Sequence, residues 1–356
     1  MRSGLGNSNF GDSLLNTLVQ SGTTYHLKKV NVKSKIVAGN GIEATNKDGL
    51  LKRAKRKMLS QKMNLHLVDV AKKKDEPERV KSYWNTFHCQ NKLTKADGRI
   101  YGQFCKNRFC TVCSSIRKAE IINTYLPTLQ QWQEPYFVTL TVQSVKAPQL
   151  KKRINDVLRA FKIIINRNKK RNQRGKGIKL IGVKSLECNF NPLKRIYNPH
   201  LHIIVANKEI ADLLVKEWCE LWTKRFVFPT AQKSTKVWDK EKVLIEIVKY
   251  STKIFTDPNM AKKGKAKTNP NIYISALDNI IGAMKDHRIF DRFGFNLPKT
   301  SKPKRNSRVL TQFSELEYDS NVFDWIEKEN DEVLTGYSPP TQLINILDSH
   351  VITDIE

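Results

Sequence analysis

No run of about 18 apolar residues occurs in the chain, so no segment is suited to crossing a bilayer as a helix. The opening residues Met1-Arg2-Ser3-Gly4 lack the apolar stretch of a secretory leader, and the expectation is a soluble, intracellular protein with no membrane partner. A Gly-rich strand-to-helix turn of the phosphate-cradling kind is missing, which argues against a doubly wound nucleotide-binding sheet. There is no internal repeat, so a solenoid is excluded. Acidic residues are scarce, 34 against 63 Lys and Arg, leaving a formal net charge of +29. Cysteines number only six, and in a reducing compartment they point to metal ligands or free thiols before disulfides.

The positive charge is unevenly placed. From Thr311 onward, eleven acidic residues accompany a single basic one, Lys328, so the excess in residues 1–310 is larger than the total suggests. Basic residues interleaved with Trp, Tyr and Phe favour a polyanionic partner, most simply nucleic acid. Residues 1–80 hold basic blocks such as Lys52-Arg53-Ala54-Lys55-Arg56-Lys57 with little core-forming pattern, and read as a loosely ordered arm.

Cys89, Cys105, Cys110 and Cys113 give the spacing C-x15-C-x4-C-x2-C. The tight pair Cys110-Thr111-Val112-Cys113 aims two thiolates at one point. With the other two it predicts a closed, tetrahedral structural Zn²⁺ site over residues 81–132. His88 is a substitute ligand beside Cys89. Cys188 and Cys219 lack such spacing and read as core. A helix follows from about Val112 to Gln131, with Pro127 expected to kink or end it. Tyr136–Val142 reads as a buried strand, and Pro148–Arg167 as a basic amphipathic helix. Leu180–Glu187 leads through a turn at Asn189-Phe190-Asn191-Pro192 to a second hairpin strand. Helices are expected over 209–226, 238–255 and 272–286, with strand character at 288–294. This order fits an α+β layer.

Two stretches carry chemistry. In Asn198-Pro199-His200-Leu201-His202, strand alternation projects His200 and His202 to the same side, where two imidazoles can share one metal ion. In the helix around 242–253, Glu246, Lys249, Tyr250 and Lys253 fall at i, i+3, i+4 and i+7 and share one face. Leu244, Ile247 and Val248 are left to pack on the sheet.

Together with Phe137-Val138-Thr139-Leu140-Thr141, these motifs resemble the plasmid rolling-circle replication initiators of the HUH endonuclease superfamily, in its single-tyrosine branch. Cys105 to Cys113 is similar to a stretch of these initiators too, and the likeness covers about residues 85–295. It implies an HUH-type catalytic domain over 133–300, a central antiparallel sheet flanked by helices. The cysteine module would precede it, and a linker with an acidic tail over 301–356 would follow.

The resemblance further implies a site-specific, metal-dependent nickase of the bacterial cytoplasm. His200 and His202 would hold Mg²⁺ or Mn²⁺. Such hard ions call for an oxygen ligand, for which Glu187 on the neighbouring strand is the candidate, an exposed Glu187 being the alternative. Tyr250 would attack single-stranded or hairpin origin DNA, leaving a 5′-phosphotyrosine and a free 3′-OH primer. Glu246 would activate the second nucleophile, and Lys249 or Lys253 would bind phosphate or ease ionisation of the phenol. Host helicase and polymerase are the implied partners. The runner-up within the superfamily is a single-tyrosine transposase, and the rival from another class is a non-catalytic zinc-containing DNA-binding protein.

Overall fold

The computed structural model describes residues 34–39, 41–223, 225–250, 272–298, 307–349 and 351–352. In chain order these form β1 (Lys35–Ala38), β2 (Ile42–Glu43), α1 (Lys47–Lys73), α2 (Pro77–Phe87), β3 (Lys92–Ala96), β4 (Arg99–Gly102) and α3 (Thr111–Gln130). Next come β5 (Tyr136–Thr141), α4 (Ala147–Gln173), β6 (Gly182–Asn191), β7 (Ile196–Val205), α5 (Lys208–Leu221), β8 (Lys233–Lys236) and α6 (Lys240–Tyr250). The remainder is β9 (Ile272–Tyr273), α7 (Ile274–Ala283), β10 (Phe290–Phe293), β11 (Ser307–Leu310), β12 (Ser314–Asp319), β13 (Asp324–Glu327), α8 (Thr341–Ser349) and β14 (Val351–Ile352). The α+β class expected from the sequence is what the chain adopts.

The sheet that carries His200 and His202 is antiparallel, in the order β10-β6-β7-β5-β8. Its centre is the β6–β7 hairpin. Asn191 closes the turn by accepting from the backbone N–H groups of Leu193 and Lys194, and Arg195 takes the left-handed conformation at φ 49°. At the far edge, a side chain on Gly294 would collide with the Leu180 carbonyl, because a Cβ there would lie 1.8 Å from its oxygen.

Each face of this sheet is covered by helices, and strand alternation decides which residues go where. Leu201, Ile203 and Val205 of β7 point with Val138 and Leu140 of β5 into the main core, against α4 and α5. Burying a side chain of this size contributes about 1.5–3 kcal/mol. The opposite face holds Val183, Ile204 and Phe137, which pack with Leu244, Ile247 and Val248 of α6 and Leu129 of α3. His200 and His202 share the parity of Ile204, so they lie on the face that α6 covers.

A second antiparallel sheet, in the order β13-β12-β3-β4-β2, carries the cysteine module at one end. Two parts of the chain depart from expectation here. Residues 47–73, read as loose arm, form one helix with Met58, Leu67 and Ala71 buried. It has no single apolar stripe because it packs against several neighbours, and Arg53, Lys57 and Asn64 are buried along with the apolar positions. Residues 314–327, read as acidic tail, add two strands to the module's sheet, with Leu316, Tyr318 and Trp325 in its core. Pro127 neither ends α3 nor delays it, since the helix continues to Gln130.

Helix α7 joins the layers through the fully buried Asp278. Its carboxylate accepts from Arg79 at 2.7 Å, Lys74 at 3.0 Å and Tyr83 at 2.6 Å, so a charge that burial would penalise is neutralised twice over. The neighbouring Asn279 donates to Tyr197 of β7 at 2.9 Å, tying the histidine strand to the same helix.

Candidate metal centre and nuclease site

The ladder sets the site. His200 lies opposite Thr141 of β5 and Glu187 of β6, while His202 lies opposite Thr139 and Ser185. Directly opposed residues of an antiparallel pair project to the same face, so the register alone brings Glu187 to both imidazoles. Glu187 and His200 are each 5% exposed, which removes the alternative of a solvated carboxylate.

Hydrogen bonding then fixes the imidazoles. The backbone carbonyl of Asn198 can only accept, so the His200 Nδ1 lying 2.9 Å away carries the proton and the Nε2 presents a lone pair. His202 Nδ1 meets the Thr139 hydroxyl at 3.0 Å, and its ring stacks on Phe137 at 5.1 Å between centroids. The two Nε2 atoms converge to 3.2 Å, and Glu187 Oε2 lies 3.6 and 3.4 Å from them. The His200 Nε2 lone pair and the Glu187 carboxylate face one point, which a cation or a proton lying among them stabilises. Glu187 Oε1 is buried with no hydrogen-bond partner among the described residues, an unmet acceptor of the kind a cation satisfies. The set fits a divalent ion with nitrogen and oxygen preference.

The four cysteines also converge. Cys89 follows α2, Cys105 lies in the loop after β4, Cys110 caps α3 and Cys113 is in that helix's first turn. Cys113 Sγ is 3.7 Å from both Cys89 Sγ and Cys105 Sγ. That is too long for a disulfide and close to the ~3.8 Å edge of a tetrahedron with metal–sulfur bonds of about 2.3 Å. Backbone N–H groups of Cys105, Asn107 and Cys113 aim at sulfurs of the cluster, as they would at thiolates. Hydrogen bonding with Cys105 and its neighbours pulls the Cys110 thiol far below its ordinary range. Two buried cations from α1 stand beside the cluster. Burial lowers Lys57 to about 8 and Arg53 to about 10, and the proximity of Cys89 opposes both shifts.

His88 does not join the thiols. It stacks on Trp84 and its Nδ1 meets Asn91. Arg108, in the loop between Cys105 and Cys110, is committed to the main-chain carbonyl of His287.

Of the proposed nucleophile helix, α6 is described as far as Tyr250, its last residue, and Glu246 is half-buried on it. Lys249 and Tyr250 have a described backbone, and Lys253 lies outside the described residues. Sequence reasoning missed β8 and with it Lys233, which the ladder places in one cross-strand row with Thr139 and His202. The segment Lys-Ser-Thr-Lys carries no apolar alternation, and only its pairing to β5 marks it as a strand.

A family model described as "Replication protein" matches residues 99–334, about two thirds of the chain. The chain belongs to this replication protein family. The match takes in three of the four cysteines, the Glu187–His200–His202 cluster, α6 and the strands β12 and β13. A "Protein rep" from Staphylococcus aureus is 32% identical over 179 residues, covering 46% of this chain and 73% of that relative. A "Protein rep" from Streptococcus pneumoniae is 26% identical over 185 residues, covering 47% of this chain and 55% of its own length. Another from Bacillus amyloliquefaciens is 26% identical over 150 residues, 38% of this chain and 42% of the relative. No solved structure matches. The likeness to replication initiators drawn from the motifs is thereby borne out at the level of family. No helix of the described residues is long and apolar enough to cross a membrane.

Proposed function

We propose that this replication protein initiates rolling-circle replication of a plasmid by nicking single-stranded origin DNA with Tyr250. The observation that carries the reading is that Glu187, His200 and His202 converge on the sheet face covered by α6, the helix that ends in Tyr250. Family membership supports replication over transposition. The convergent ligand set, with an unmet buried carboxylate oxygen, supports catalysis over simple DNA binding.

Glu187, His200 and His202 would hold Mg²⁺ or Mn²⁺, which supplies polarisation of the scissile phosphate and neutralises charge developing on it. The Asn198 carbonyl and the Thr139 hydroxyl keep both imidazoles turned so that their Nε2 atoms face this point. The Tyr250 oxygen attacks phosphorus, the bond to the 3′ oxygen breaks, and the phenolic proton leaves with that oxygen as the 3′-OH. The phosphotyrosine retains the energy of the phosphodiester, so the strand can later be rejoined. Glu246, one helical turn before Tyr250, serves as the base for that second transfer, and Lys249 and Lys253 bind neighbouring phosphates. The cysteine cluster holds structural Zn²⁺, with Lys57 and Arg53 offsetting the negative charge of four thiolates. The free 3′-OH implies a host polymerase and helicase as partners in the bacterial cytoplasm.

The test is a covalent adduct. Single-stranded oligonucleotides tiling the origin region of the encoding replicon are incubated with the protein and Mn²⁺, then resolved on denaturing gels. One oligonucleotide is expected to shift in wild type and none with Tyr250→Phe. An adduct that survives Tyr250→Phe removes the assignment, and its absence in wild type removes the nickase reading.

A further inference from the structure

The cross-strand row through the histidine site continues one strand further than the ligands. Thr139 pairs with His202 on one side and with Lys233 of β8 on the other, so Ser185, His202, Thr139 and Lys233 run across one face of the sheet. Strands are about 4.8 Å apart, which puts the Lys233 backbone about 10 Å from that of His202. Only Thr139 lies between them, and its short hydroxyl side chain is turned to His202. Lys233 is exposed and has no hydrogen bond or ion pair among the described residues. Because β8 is an edge strand, nothing in the sheet continues beyond it.

Lys236, three residues on, is the natural contrast. It has the opposite strand parity, is paired to Glu134 at 2.6 Å, and lies 5.0 Å from the Trp238 ring centroid. One lysine of this short strand therefore faces the histidine site with its charge uncommitted, and the other faces away with its charge already answered. A lysine beside a site built for a phosphodiester, and free of protein anions, has one obvious counter-ion. Its ammonium binds a phosphate as a point charge, without the planar geometry an arginine would demand.

We propose that Lys233 is a DNA-binding residue of the replication protein, holding the backbone phosphate next to the one presented at the Glu187–His200–His202 site. Single-stranded DNA then enters across the β8 edge of the sheet. The inference rests on the nickase reading for the identity of the ligand, but not for its measurement.

The probe is a fluorescein-labelled 25-mer of deoxythymidine, bound to the full-length protein by anisotropy over a series of NaCl concentrations. For single strands each phosphate contact contributes about 0.7 to the slope of log affinity against log salt. Lys233→Ala is expected to lower the slope by about that amount and to weaken binding about three- to tenfold at the lowest salt. Lys233→Arg is expected to keep the slope, and Lys236→Ala to leave both slope and affinity at the wild-type values. A Lys233→Ala slope equal to wild type overturns the proposal. So does an equal fall with Lys236→Ala, which would mean a diffuse charge effect with no preferred face. Melting temperatures of the three variants report folding separately, and the two changes at the exposed Lys233 are expected to leave them unchanged. Binding is read without any cleavage. A Lys233 effect with no wild-type adduct therefore leaves the phosphate contact standing and removes the nickase reading, while normal adduct formation with no Lys233 effect does the reverse.

Discussion

Replacing Glu187 by Gln separates what the carboxylate costs the fold from what it does for the site. The side chain keeps its shape, so packing at a 5%-exposed position is preserved. In the absence of a divalent cation the wild-type carboxylate is a burden, because Oε1 is buried without a partner. An unmet buried acceptor costs about 1–3 kcal/mol, more when charged, and a glutamine amide can instead donate toward a histidine Nε2 lone pair. The variant is therefore expected to melt above wild type in metal-free buffer. Each kcal/mol is worth roughly 2–4 °C in domains of about 150–250 residues, so the rise is a few degrees. Addition of Mn²⁺ reverses the order. At a hundredfold excess over its dissociation constant a ligand stabilises the fold by about 2.7 kcal/mol, and the variant, short of its anionic ligand, gains little. The assay is a pair of tryptophan-fluorescence melts with and without Mn²⁺, on samples whose zinc content has been checked to be equal. Equal Mn²⁺-induced shifts in both proteins would refute Glu187 as a ligand. A metal-free variant less stable than wild type would refute the claim that its buried oxygen is unmet.

Three further perturbations address other parts of the molecule. Ile247→Ala removes a fully buried side chain between α6 and the sheet. It should cost about 2–5 kcal/mol in urea unfolding and reduce adduct formation more than Mn²⁺ binding. Cys110→Ser replaces one of the four convergent thiols and alters the cap of α3 at once. Metal analysis is expected to fall from about one zinc per chain to well below it, with loss of protection against proteolysis in residues 89–113. Asp278→Ala strands Arg79 and Lys74 without their shared anion, and should destabilise by about 3–5 kcal/mol, measured by denaturant midpoint at unchanged m-value.

The histidine-bearing sheet was legible because its strands announce themselves twice. Tyr136–Thr141 and Leu201–Val205 are dense in β-branched and aromatic residues, and the hairpin turn at Asn191 has its own chemistry. Glu187 could be nominated because it lies on the strand next to the histidines, but the exact register could not, since the turn expected at Asn189–Pro192 falls later, after β6 has run on to Asn191. What escaped was whatever depended on a distant partner. Lys233–Lys236 is a strand only because β5 offers it an edge. Helix α1 is buried on more than one side, so its sequence shows no stripe, and Lys57 is buried only because the Phe87 carbonyl and Asn91 receive its ammonium. In Ser314–Asp319, Leu316 and Tyr318 do alternate with acidic residues, but the acidity draws the eye to a solvated tail. Pairing to β3 and the ion pairs Lys35–Glu315 and Lys95–Glu327 show where those charges go.

The pairing of β12 with β3 also sets an order of events during synthesis. Leu93 waits for Leu316, and the Gln90 carbonyl beside Cys89 waits for the Trp325 indole, which donates to it at 2.7 Å. More than two hundred residues separate Leu93 from Leu316, so at 5–20 residues per second the ribosome takes about 10–45 s to supply the missing strand. In that interval the β5–β7 sheet can close from local hairpins, while β3 presents an open edge. Nascent chains arrested before Ser314 should be cut by protease near residues 90–104 and spared near 182–205. A translation product cut short would carry the histidines without a finished thiol module.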